Sequence, residues 1–275
     1  METSFEDAEV VKLVHWAETN FANGCTEKQL VDVLASEGRP EAIISRIIRG
    51  SKREVAQRRV PEPSVGGSPT TIYVGGHPVS VHMALRFPRI VLFNNFLTYE
   101  ECDTLIWNAR KSVAKSTVVD RDTGVSVEHA ARTSFGTFFP KHLNSFIDTI
   151  DQRIADLLNW PLERGEALQI LKYEVGQEYK PHHDYFMPTG AENKALHLEK
   201  SGQRVATFIM YLNTPERGGG TVFPDIGLEV TPSAGSALFF SYPNLFYGKN
   251  TLHGGTPVIA GEKWIATKWL REREF

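Results

Sequence analysis

The hydrophobic period of this chain changes at Leu168, and that change narrows the folds open to it. From there to the end, short runs such as LQILKYEV, VATFIMYLN, SALFFSY and KWIATKWLR are rich in β-branched and aromatic residues. Clusters of Gly, Pro and Asn separate them. Runs of that length and composition read as strands, and several in succession imply an antiparallel sandwich or jelly roll. Before Leu168 the spacing is helical. In TYEECDTLIWNARKSV, Cys102, Leu105, Ile106 and Ala109 share a face behind a capping box of Thr98 and Glu101. A second helix, over about 141–159, carries Phe146, Ile150, Ile154 and Leu157, and RIVLFNNFL ahead of both reads as a strand. The expected class is therefore α+β: a jelly-roll core with supporting helices drawn from the earlier part of the chain.

The first fifty residues are different again. Val10, Leu13, Val14, Ala17 and Phe21 keep helical spacing. Thr26-x-x-Gln29 is a capping-box signature, Leu30, Val33 and Leu34 follow it on one face, and Gly38 suits a helix stop. Pro40 fits a new first turn with Ile43, Ile44, Ile47 and Ile48 behind it. Three helices this short make a core too small to be robust alone, so the bundle is expected to dock on the rest of the chain or on a partner. An Arg-, Pro-, Ser- and Gly-rich stretch ending PEPSVGGSPTT follows. The expected division is a small helical domain over 1–50, a linker over 51–80 and the jelly roll over 81–275.

Charge and cysteine content exclude several functions. A formal charge of −3 supplies no electrostatic pull toward nucleic acid or an anionic membrane, and the basic run RIIRGSKREVAQRR reads as a solvated linker. Two cysteines cannot build a disulfide framework and lack zinc-finger spacing. The acidic METSFEDAEV has no basic region ahead of an apolar one, and no apolar run approaches the ~20 residues of a membrane span. The expected location is cytoplasmic, with neither nucleic acid nor membrane as partner.

The chemistry gathers around YKPHHDYF, residues 179–186. On a strand, His182 and Asp184 leave the same face while His183 points the other way. One imidazole and one carboxylate on a shared face are two-thirds of the 2-His-1-carboxylate triad that holds non-haem Fe(II) with positions left open. The missing histidine must come from a distant strand. His197 lies in a polar, loop-like stretch, whereas His253 just precedes the last β-like run and is the better third ligand. Lys263, at the start of KWIATKW, has two readings. It can snorkel at the barrel rim, or it can point inward as a fixed cation for an anionic ligand near the metal.

KYEVGQEYKPHHDYF, QRVATFIMYLN, GGGTVFP and LHGGTPVIAGEKWIATKW together resemble the catalytic domain of prolyl 4-hydroxylases, which are Fe(II)/2-oxoglutarate oxygenases. The similarity runs over about 85–275, taking in RIVLFNNFLTYEECDTLI and ARTSFGTFF, and the N-terminal helices resemble extensions on some bacterial members. That resemblance implies a double-stranded β-helix in which His182, Asp184 and His253 bind iron. It also implies that Lys263, Tyr173 and Thr221 hold the far carboxylate of 2-oxoglutarate, and that Tyr179, Arg204 and Trp269 line a peptide groove. A lid is implied over about 118–134. The chain departs from the pattern at Gly220, where the family more often carries an acidic or other side chain; this bears on substrate fit rather than on chemistry.

The implied reaction uses O2, couples decarboxylation of 2-oxoglutarate to succinate and CO2 with C–H hydroxylation, and takes ascorbate as a reductant. The leading substrate is a peptidyl proline in a proline-containing peptide or protein, with a free amino acid or peptide-like metabolite as the rival. Two other classes stay open at this point. A zinc or manganese jelly-roll enzyme would use the same triad but give Lys263 no partner, and a binding or sensor module would carry a degenerate site.

Overall fold

The structure is a computed structural model that describes residues 9–10, 12–14, 16–17, 20–21, 25–57, 60–115, 118–119, 126–127, 132–186, 200–242 and 250–275. Its contacts divide the chain into two compact units, the first reaching Arg59 and the second beginning at Val60.

In the first unit, helix α1 (Glu27–Ser36) starts at the expected capping box. Thr26 Oγ1 accepts from Gln29 N at 3.3 Å, and Gln29 Oε1 accepts from Thr26 N at 2.8 Å. The helix ends just ahead of Gly38, whose φ of +75° suits a residue without a Cβ. Helix α2 (Glu41–Gln57) then runs past the boundary expected at residue 50. Leu30, Leu34, Ile44, Ile47 and Ile48 join Val10 and Ala17 in a small core, whereas Val33 is 42% exposed, off the apolar face.

The second unit is built on antiparallel sheets. The nine-stranded one has, in spatial order, β1 (Thr71–Val74), β2 (His77–Leu85), β3 (Ile90–Asn94), β14 (Ala237–Ser241), β10 (Arg204–Tyr211), β17 (Lys263–Arg271), β8 (Leu168–Tyr173), β7 (Phe135–Phe139) and β4 (Ala114–Lys115). The four-stranded one runs β13 (Leu228–Val230), β12 (Thr221–Phe223), β15 (His253–Gly255) and β9 (Tyr179–His182). Two short pairs complete the set: β11 (Arg217–Gly218) with β16 (Val258–Ala260), and β5 (Val118–Val119) with β6 (Ser126–Val127). Every strand pairing is antiparallel. With its helices, this is the expected α+β jelly roll, the double-stranded β-helix of the 2-oxoglutarate oxygenases.

The expected linker differs most from the structure. Of the described residues between 51 and 80, only 60–70 and the turn at 75–76 lack helix or strand, because α2 extends to Gln57 and β1 and β2 begin at Thr71 and His77. Gly75 and Gly76, with φ of +57° and +82°, make the two-residue turn that joins β1 to β2. A Gly-Gly pair between alternating runs is a hairpin signal in TIYVGGHPVSV itself.

Helix α3 (Tyr99–Ala109) begins at the Thr98/Glu101 capping box. Helix α4 (Ser145–Leu158) starts later than the spacing suggested, because Asn144 caps it by accepting from Ile147 N at 3.0 Å. Both helices lay apolar faces on the large sheet: Cys102, Leu105, Ile150, Ile154 and Leu157 share one buried cluster with Phe93, Phe208, Phe239, Trp264 and Ala266. Period-two alternation then assigns the sheet's other face. On β17, Trp264, Ala266 and Leu270 enter the helix-side core, while Lys263, Ile265, Thr267 and Trp269 line a cavity. Residues of β9, β12 and β15 close the cavity from the small sheet. No described helix is long and apolar enough to cross a membrane.

Candidate active site

Strands β9 and β15 pair so that His182 stands directly opposite His253. Asp184 lies in the bend just past β9, so a strand end and a turn, rather than a continuous strand, bring it beside His182. Ligand atoms of His182, Asp184 and His253 all lie within 4.8 Å of one another, and no other such group occurs among the described residues. Asp184 Oδ1 is 3.5 Å from His182 Nε2, and Oδ2 is 3.4 Å from His253 Nε2.

The donor set suits a divalent metal. His182 Nδ1 is 2.9 Å from Lys180 O, and His253 Nδ1 is 3.0 Å from Thr251 O. A carbonyl only accepts, so Nδ1 carries the proton in both rings and Nε2 presents its lone pair inward. Burial pushes the His253 imidazolium down to about 4, against the opposing pull of Asp184, which keeps the ring neutral. Burial works against ionisation of Asp184, yet the facing histidines and Arg204 hold its carboxyl well below the usual range. His183 turns away as expected, with its ring 4.8 Å from that of Tyr185. His197 lies outside the described residues, as does most of the expected lid.

Across the cavity, Lys263 is 2% exposed and stands opposite Tyr173 in the β17–β8 register. Its Nζ lies 5.4 Å from the Tyr173 ring centroid and 6.0 Å from that of Tyr211. Burial alone lowers its pKa to about 7; no described charge or hydrogen bond offsets it. Of the two sequence readings, the inward one is realised. Glycines make room for it: a Cβ at Gly219 would sit 3.1 Å from Lys263 Cδ. Thr221 Oγ1 accepts from Tyr211 Oη at 2.8 Å, which leaves the threonine proton for another acceptor. Tyr173 is buried and hydrogen-bonded to Arg132 and Ser134.

Tyr179 and Trp269 both line the cavity. The Tyr179 ring stacks on His182 with centroids 3.6 Å apart and planes 19° apart, and the Arg132 guanidinium lies 4.9 Å from the Tyr179 ring centroid. Arg204 is not among the lining residues. It forms a bidentate pair with Glu166 at 2.7 and 2.8 Å and packs 3.9 Å from the Trp269 ring centroid, bracing that wall from behind. Sequence reasoning missed Arg132, Glu166 and Thr207. Arg132 lies within ARTSFGTFF, a matched stretch, but no spacing rule singles it out, and Glu166 carries no local signal. Gly220 is also explained by its neighbour: the Glu229 side chain of β13 occupies the place where a Cβ at 220 would stand.

Comparison with known proteins agrees with this geometry. The family profile of the 2OG-Fe(II) oxygenase superfamily matches residues 168–271. Probable prolyl 4-hydroxylase 10 of Arabidopsis thaliana is 43% identical over 209 residues, covering 68% of this chain and 70% of its own length. Prolyl 4-hydroxylase 5 of the same plant is 41% identical over the same shares of the two chains. Among solved structures, the viral collagen prolyl hydroxylase of Paramecium Bursaria Chlorella virus-1, in complex with 2OG, superposes with a TM-score of 0.51 at 30% identity. It covers 66% of this chain and 95% of its own. With the buried His-Asp-His cluster in place, the chain belongs to the prolyl 4-hydroxylase family of the 2OG-Fe(II) oxygenase superfamily and is a hydroxylase that depends on Fe(II) and 2-oxoglutarate.

Proposed function

We propose that the chain hydroxylates a peptidyl proline, with His182, Asp184 and His253 as the iron ligands and Lys263, Thr221 and Tyr173 as the 2-oxoglutarate clamp. One observation supports this most: a buried lysine with no counter-ion among the described residues shares a cavity with the cluster of His182, Asp184 and His253. A lysine so placed suits an anion, and a dicarboxylate can reach both the cation and the metal. Bound together, iron and 2-oxoglutarate would supply the oxidising chemistry with O2 as the oxidant, one oxygen atom entering the substrate C–H bond to give C–OH and the other entering succinate as 2-oxoglutarate loses CO2.

The chain's own part is position and exclusion of water. Lys263 holds the far carboxylate by charge, Thr221 gives it the one hydroxyl proton that Tyr211 leaves unclaimed, and Tyr173 closes the end of the slot. The apolar walls from Leu171, Ile209 and Ile265 keep that slot dry and strengthen the ion pair. Tyr179 and Trp269 face the substrate side, and Arg204 serves it by fixing the plane of Trp269.

The peptidyl-proline reading follows the prolyl hydroxylases among the relatives. Ascorbate as a reductant belongs to the same reading. A cytoplasmic location is supported by the free thiols of Cys25 and Cys102. The bacterial-type assignment, and a docking role toward a partner, rest on the N-terminal helices alone. The deciding experiment incubates the protein with Fe(II), 2-oxoglutarate and ascorbate against proline-rich peptides and free amino acids, reading succinate and a one-oxygen mass gain. Hydroxyproline in a peptide is the expected product. Oxygen added to a free amino acid alone would move the substrate class, and turnover unchanged in His182→Ala or His253→Ala would remove the site assignment.

A further inference from the structure

Asp184 is held from behind by two side chains that none of the expected ligand or substrate roles uses. Thr207, on the cavity face of β10 and fully buried, brings Oγ1 to 2.6 Å from Asp184 Oδ2. The same Oγ1 lies 2.9 Å from the hydroxyl of Tyr242, which is 4% exposed. The direction of both bonds follows from counting protons. An ionised carboxylate only accepts, so Thr207 must spend its single proton on Asp184. Tyr242 can then only donate, giving its phenol proton to the lone pair of Thr207. The chain of bonds reads Tyr242 to Thr207 to Asp184 Oδ2, with every donor and acceptor used once.

This sets the two carboxylate oxygens apart. Oδ2 carries the short hydroxyl bond and lies 3.4 Å from His253 Nε2, while Oδ1 faces His182 Nε2 at 3.5 Å and accepts from no hydroxyl among the described residues. The backbone fixes the relay at both ends. Thr207 pairs with Phe240 on β14 and Trp269 on β17, and Tyr242 N donates to Val205 O at 3.0 Å. The Tyr242 ring is wedged between Tyr185 and Phe240, with centroids 5.7 and 6.3 Å away. A relay anchored in the large sheet therefore orients a carboxylate that hangs from a bend beside the small one.

Resting on the iron-site reading above, we propose that Thr207 and Tyr242 are positioning residues that hold Asp184 to one-oxygen coordination through Oδ1. An Asp184 free to rotate could offer both oxygens and occupy a position that the co-substrate needs. The relay keeps the protein's contribution to three ligand atoms.

The test is anaerobic titration of the metal-free full chain with Fe(II), and with Co(II), whose visible absorption reports coordination number. Tyr242→Phe removes one oxygen and keeps the ring; Thr207→Val removes the donor; Thr207→Ser restores it. Loss of a hydrogen-bond partner that orients a metal-ligating side chain weakens metal binding by about 10–100-fold. Thr207→Val should therefore bind about tenfold more weakly or worse, with a changed Co(II) spectrum. Tyr242→Phe should fall between it and the parent, and Thr207→Ser should match the parent. Because the bonds act in series, Tyr242→Phe should cost nothing more on top of Thr207→Val. Parent-like affinity and spectrum in both Tyr242→Phe and Thr207→Val would overturn the relay, as would a full additional loss in the double variant. Should Thr207→Val not fold, Tyr242→Phe against Thr207→Ser decides by the same readouts. A parent chain that binds neither metal would instead remove the iron-site reading, and the relay with it.

Discussion

Strand β17 carries two buried lysines five positions apart, and the sheet sends them to opposite faces. Lys268 enters the helix side, where its Nζ meets Asp151 Oδ2 of α4 at 2.7 Å. Lys263 enters the cavity side, where no described anion awaits it. The two are equally hidden, at 1% and 2% exposure. Burial lowers both, but Asp151 works against the fall at Lys268 while nothing does so at Lys263, which drops to about 7. An unpaired buried cation costs folding free energy and is kept only where something other than the fold uses it. One lysine completes the structure, and on the function proposed above the other is completed by a ligand.

Breaking the structural pair should have the largest effect. Lys268→Met strands the Asp151 carboxylate in the core and should lose about 3–5 kcal/mol of stability, read by denaturant titration. Adding Asp151→Leu should recover most of it, with the KM for 2-oxoglutarate unmoved throughout. Lys263→Met should do the reverse. Truncating one side of a buried charged contact costs about 2–5 kcal/mol of binding, so its KM for 2-oxoglutarate should rise at least about thirtyfold. The ligand-free melting temperature should hold or increase. If the two variants behave alike, the contrast between the lysines is lost.

Titration separates them further. Lys263 falls from 10.5 to about 7 on folding, so between those values the unfolded chain holds a proton that the native one lacks. The ligand-free protein should thus gain stability as pH rises through that window, by at most about 1.4 kcal/mol per unit, and Lys263→Met should flatten the gain. Affinity for 2-oxoglutarate needs the charged lysine and should fall about tenfold per unit above pH 7. Calorimetry in buffers of different ionisation enthalpy would show the accompanying proton uptake, and its absence at pH 8 would contradict an anion at Lys263. The smallest effect belongs to Thr221→Val. It removes one hydrogen bond to a charged group and should raise the KM for 2-oxoglutarate about tenfold, leaving turnover at saturation nearly intact.

Much of this contrast was written locally. Alternation along KWIATKWLR separates positions 263 and 268 by an odd number, which on a strand means opposite faces, whereas Asp184 reaches His182 through the bend past β9 rather than by strand alternation. Capping boxes at Thr26 and Thr98 marked their helices because both bonds of each box close within four residues. What stayed hidden depends on distant register. Lys263 had two readings until its pairing with Tyr173 placed it inside. Thr207 and Tyr242 look like ordinary strand residues, since nothing near them in the chain announces Asp184. Resemblance alone places Arg204 at the groove, and nothing local announces its ion pair with Glu166, 38 positions away.

Gly220 gives the small sheet a dependence that single-position comparison does not show. No side chain stands at 220, and Glu229 from the adjacent strand lies over that spot. The two positions share one volume, so they form a single unit of variation. A side chain introduced at 220 is then a coupled change: the exposed Glu229 must swing off the spot to admit it, so what position 220 accepts depends on what 229 carries.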